Sequence, residues 1–85
     1  MITLITLRYR GSLAELTGKK AEQMDAANVA EVISYIKNQY GNAAAKQAER
    51  MLITVNGTGI QLLGRFKTPL ADGDVVAFLP LAAGG

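Results

Sequence analysis

Eighty-five residues, 49% of them apolar, suffice for one small domain. A chain of this size buries only about 60–65% of its unfolded surface, so its core must be regular. The sequence holds no Cys and no His, which excludes disulfides, thiolate metal sites and cysteine nucleophiles, and removes the usual general base and the commonest metal ligand. A net charge of +2, from nine basic and seven acidic residues, gives little drive toward nucleic acid. With no apolar run long enough to span a bilayer and no signal segment, the expectation is a cytoplasmic protein that engages neither nucleic acid nor membrane and is not itself an enzyme.

Met1 to Arg10 reads as a strand, because Ile5, Leu7 and Tyr9 alternate with Thr6, Arg8 and Arg10 and so occupy opposite faces. Arg8 and Arg10 share one face, with Lys19 and Lys20 close by on the next strand; this set suits a solvated sheet face or an acidic protein partner. Gly11 to Gly18 contains one helical turn closed by Gly18, and Lys19 to Asp25 is a polar strand suited to a sheet edge. Asn28 followed by Glu31 resembles a capping box. Val29, Val32, Ile33, Ile36 and Tyr40 then recur at helical spacing until Gly41 stops the main helix, whose apolar stripe is assigned to the core.

Asn42 to Arg50 is alanine-rich and reads as a second, short helix. Leu52 to Val55 forms the next strand, and Asn56-Gly57 begins a turn. Gly59 to Pro69 is irregular, with room for one short strand before a Gly64-Arg65-Phe66-Lys67 loop. Asp72-Gly73-Asp74 has too few ligands for a calcium loop and reads as a turn. Gly57-Thr58-Gly59 lacks the Gly-Lys-Ser/Thr of a phosphate loop. Asp74 to Leu79 is the closing strand, halted by Pro80. The order of strands and helices is that of an α+β domain with a helix packed on one mixed sheet.

The sequence ends Leu81-Ala82-Ala83-Gly84-Gly85. Two glycines without side chains can thread a narrow channel and present a free carboxylate there. From Pro80 onward such a tail reaches about 20 Å at ~3.3 Å per residue, enough to enter a partner's active site. Leu79 is a candidate apolar anchor: if Phe78 faces the helix, alternation turns Leu79 to the other sheet face, beside the tail. The apolar run by itself leaves open which of the two points inward.

The segment "TPLADGDVVAFLPLAAGG" resembles the C-terminus of the MoaD/ThiS sulfur carriers. "LRYRGSLAELTG" at 7–18 and "ITVNG" at 53–57 are similar to that family's first strand and turn and to its middle strand. The resemblance implies a ubiquitin-like β-grasp of four to five strands on one main helix, spanning 1–85 with a flexible tail over about 80–85, and with first and last strands adjacent and parallel.

It also implies a function. The Gly85 carboxylate, given clearance by Gly84, would be adenylated by an E1-like enzyme of the MoeB/ThiF type using ATP and magnesium. It would then become a thiocarboxylate and donate sulfur in molybdopterin synthesis, with the large subunit of molybdopterin synthase as acceptor. Leu79, Pro80, Leu81, Arg8 and Arg10 are the partner-binding residues this reading nominates, and the chain itself binds no cofactor and no metal. Departures from the MoaD pattern at Arg10, Ala14 and Leu81, and the longer stretch from Gly57 to Pro69, keep two alternatives open. These are sulfur delivery to cysteine or thiamin synthesis, and a ubiquitin-like modifier conjugated to lysines.

Overall fold

A computed structural model describes residues 2–80. Leu81, Gly84 and Gly85, named above as site residues, lie outside the described residues.

Strand β1 (Leu4–Tyr9) is followed by helix α1 (Gly11–Thr17), strand β2 (Ala21–Asp25), helix α2 (Val29–Tyr40) and helix α3 (Asn42–Arg50). Strand β3 (Leu52–Val55), the two-residue β4 (Thr58–Gly59), two 3-10 turns at Ile60–Leu62 and Arg65–Lys67, and strand β5 (Val75–Leu79) complete the order. The five strands form one sheet in the order β2-β1-β5-β3-β4. β1 and β5 run parallel at its centre, and the other pairings are antiparallel. This is the mixed α+β sheet of a ubiquitin-like β-grasp, with β2 at the edge its polar composition indicates.

Local signals explain the element ends. The Asn28 side chain accepts the Glu31 N–H at 2.9 Å, and the Glu31 carboxylate reaches back to the Ala27 N–H at 2.7 Å. One reciprocal pair thus occupies two donors at the start of α2. α1 is longer than the single turn expected and ends at Gly18, whose φ of 73° is the left-handed conformation glycine adopts without penalty. At 72–74 the reading as a turn holds: Asp72 accepts the Leu4 N–H at 2.8 Å and Asp74 the Ala71 N–H at 2.8 Å, so both carboxylates serve the chain's own backbone.

The core lies between the sheet and the helices. Ile5, Leu7, Val76 and Phe78 from the central strands meet Val29, Val32 and Ile36 of α2, all fully buried. Leu13 of α1 and Ala44 and Ala48 of α3 join them, so three helices rather than one main helix cover the sheet. Ile33 and Tyr40, placed on the buried stripe from their spacing, are only partly buried and pack against the core from its margin. A stripe of this kind is wider than the strip of helix that a small sheet covers completely.

Candidate functional site

Alternation along the central strands settles the orientation that the apolar run left open. Phe78 is fully buried against the helices, and Leu79 is half-buried on the opposite, open face of the sheet. Leu79 lies directly across from Leu52 of β3, and Ala77, two residues earlier, lies between Thr54 and Arg8. The open face therefore has an apolar centre, Leu52, Val75, Ala77 and Leu79, with the exposed Arg8 on β1 to one side and the exposed Arg10 just past the end of that strand.

Beyond Leu79 the chain meets the corner between β1 and α1. Gly11 has a φ of 57°, and a Cβ placed on it would come within 3.4 Å of the Pro80 ring. A glycine is thus favoured here twice over, by backbone conformation and by the approach of the proline that begins the tail. Next to this corner a cleft of about 330 Å³ is lined by Arg8, Tyr9, Arg10, Gly11, Ala14 and Lys20. Of the sequence-nominated residues, Arg8, Arg10, Leu79 and Pro80 thus gather around the last described turn of chain, and Lys20 belongs with them.

Lys19 does not. Its ammonium turns away to Glu22 at 3.3 Å, the one ion pair among the described residues. Glu22 is the centre of a cluster that sequence reasoning missed. Tyr9 and Tyr40 donate to its Oε2, both at 2.6 Å, and Tyr35 donates to its Oε1 at 2.8 Å. The side chain is only 9% exposed. Burial pushes the Glu22 carboxyl upward, but hydrogen bonds from Tyr40, Tyr9, Tyr35 and Lys19 outweigh it and hold the group below its ordinary value. Each tyrosine is raised, by burial first and by its bond to the Glu22 charge second, Tyr35 to about 12. The signal was present in the strand's parity: Glu22 and Met24 alternate with the exposed Ala21, Gln23 and Asp25, which places a carboxylate on the helix-facing side.

The cluster ties edge strand β2 to α2 and β1. No helix among the described residues is long and apolar enough to cross a membrane.

Residues 7–85 match the model of the ThiS family. Among solved structures, the fold resembles that of the small archaeal modifier protein 1 of Methanosarcina acetivorans with a TM-score of 0.85 at 20% identity, over 100% of this chain and 99% of that one. It resembles a chain of the BexX/CysO complex of Amycolatopsis orientalis with a TM-score of 0.80 at 25% identity, over 95% of this chain and 99% of that one. A third likeness is to the complex of subunits 1 and 2 of the molybdopterin-converting factor of Helicobacter pylori, with a TM-score of 0.69 at 22% identity, over 96% and 99% of the two chains. No curated protein matches this chain by sequence.

Proposed function

This chain belongs to the ThiS family, and from that premise we propose that it is a sulfur carrier whose C-terminal glycine is the group that reacts. The observation carrying the proposal is that the family match runs through residue 85 and so includes Gly84 and Gly85. A carboxylate is a poor electrophile until a better leaving group replaces its oxide. In the proposed sequence, Gly85 displaces pyrophosphate from ATP on an E1-like enzyme of the MoeB/ThiF type, with magnesium, to give an acyl-adenylate. A persulfide of the partner then displaces AMP, and a second partner thiol cleaves the resulting acyl disulfide, leaving a thiocarboxylate on Gly85 and a disulfide on the enzyme. All the thiols are the partner's, since this chain has no cysteine.

In this reading the chain is a co-substrate rather than a catalyst, and its own residues dock and aim the tail. Leu79, Pro80 and Leu81 supply the apolar contact, Arg8 and Arg10 the charged rim, and Gly11 lets the proline sit close at the root. The proposed acceptor is the large subunit of a molybdopterin synthase, supported by the likeness to a molybdopterin-converting-factor complex. The 25% identity with a chain of the BexX/CysO complex favours, as a second reading, an acceptor outside molybdopterin synthesis.

The test is mass spectrometry of the protein incubated with its activating enzyme, ATP and a sulfur donor. The expected product is heavier by the difference between sulfur and oxygen, at residue 85 only. A variant lacking Gly84 and Gly85, or one extended past Gly85, gives no such product. Appearance of the chain in amide linkage to lysines of other proteins, with no thiocarboxylate, would replace the carrier reading with the modifier one.

A further inference from the structure

The long excursion between β4 and β5 is the feature of the fold that the sulfur-carrier reading does not use. Within it, Leu62, Leu63 and Phe66 are 83%, 44% and 39% exposed, and they make up half of the large exposed hydrophobic residues among those described. Singly scattered exposed apolar residues are ordinary, but these three fall within five consecutive positions, with Leu63 lining one hollow and Phe66 another. Arg65, in the middle of the cluster, has a φ of 54°, a left-handed conformation that costs a non-glycine residue energy and is retained where the surroundings impose it. Phe66 and Arg65 line a groove of about 420 Å³ together with Glu49, Met51, Leu52 and Ile60. It lies on the β4 side of the sheet, with β5 between it and the Arg8–Arg10 cleft.

Charge decides what fits there. From Arg50 to Ala71 the chain has no carboxylate and three cations, Arg50, Arg65 and Lys67, none of them in an ion pair among the described residues. We propose that this excursion is a second docking site, which takes a segment of an acidic protein that sets an apolar side chain into the groove and carboxylates against Arg65 and Lys67. A second copy of this chain meeting it face to face would bring three cations per copy against a single Glu49, an unfavourable pairing. A flat anionic membrane would leave the concave groove unfilled and would meet Glu49 at its rim. The pairing of apolar contact with steering charge follows the usual division of affinity and association rate at interfaces.

The full-length protein, labelled with nitrogen-15, is titrated with two synthetic helical peptides of equal length. Each has leucines on one face; one has glutamates and the other lysines on the opposite face. The glutamate peptide is expected to shift the amide signals of residues 51–53 and 61–67, with an affinity that falls as salt is raised. Phe66→Ser and Arg65→Glu, at two exposed residues that line the groove, should each weaken it by about fivefold or more while leaving the fold in place. Arg10→Ala, beyond β5 from the groove, should bind the peptide as the unaltered protein does. An equal response to the lysine peptide, shifts confined to the open face, or no shift with either peptide would overturn the proposal. So would binding to phosphatidylglycerol vesicles in place of the peptide, or self-association through Leu62 in sedimentation. Because Gly85 takes no part in this test, its failure would leave the carrier reading standing.

Discussion

Glu22 stands where three tyrosines and a lysine converge, and removing its carboxylate leaves three hydroxyls without their acceptor. Glu22→Leu is therefore expected to lower stability by about 2–4 kcal/mol in denaturant unfolding, and Glu22→Gln by less because an amide oxygen still accepts. A fall below ~1 kcal/mol for the leucine variant would show that the hydroxyls find water instead. The cluster, together with Asp74 at the 72–74 turn, sets a pH window. Glu22 and Asp74 are both held below their ordinary values, Asp74 by the Ala71 N–H first and Asn56 second. Their contribution is complete above the unfolded carboxylate pKa of about 4 and is lost as pH falls through the lower folded values. Tyr9, Tyr35 and Tyr40 are raised, so their contribution is complete below about pH 10 and is lost as pH climbs beyond it. The melting temperature should thus be level between these limits and fall on both sides. In Tyr35→Phe the alkaline fall should be shallower, and an unchanged alkaline limb would count against the cluster as its source.

At the scale of elements, α2 separates residues that share a spacing but not a depth. Ile36 is fully buried while Ile33 sits at the margin of the core. Ile36→Ala should cost about 2–5 kcal/mol, the range for a buried isoleucine truncated in a packed interior, and Ile33→Ala clearly less. Equal losses in chemical denaturation would mean that the helix is rolled about its axis relative to the sheet. The β1–α1 corner offers a second comparison. Gly11→Ala puts a methyl group at a positive φ and against Pro80, and should cost about 1 kcal/mol. It should also slow activation of the tail more than Gly18→Ala, where a Cβ meets nothing within 4 Å. Similar activation rates in the two variants would argue that the root of the tail need not be held at this corner.

Across the whole molecule, the open face and the groove beside β4 meet at Leu52, while Arg8 and Arg10 belong to the first and Arg65 and Phe66 to the second, so partner binding should divide between those residues. On the open face, Leu79→Ala is expected to weaken the activating enzyme by at least ~1 kcal/mol, and Arg10→Ala to slow association and make it less sensitive to salt. Stopped-flow measurements at two ionic strengths distinguish these effects. An unchanged affinity in Leu79→Ala would move the interface elsewhere.

Much of this was legible in the residues themselves. The alternation in Ile5, Leu7 and Tyr9, the Asn28–Glu31 cap, the glycine stops and the Asp72-Gly73-Asp74 turn are local signals, each written within a few residues, and each reappears in the fold. The Gly-Gly ending, with its family match, is equally a property of the sequence. Tertiary structure alone decided the rest, because it depends on which distant segments meet. Parity placed Phe78 and Leu79 on opposite faces, but only packing against α2 showed which face was inside. Lys19 and Lys20 are neighbours in the chain and read as part of the second strand, yet both precede β2, where strand alternation does not apply; one closes on Glu22 and the other lines the cleft with Arg8 and Arg10. Leu62 and Leu63 read like the buried Ile60 beside them and end up at the surface, because a 3-10 turn between a two-residue edge strand and the crossing to β5 has too little sheet beneath it to cover them.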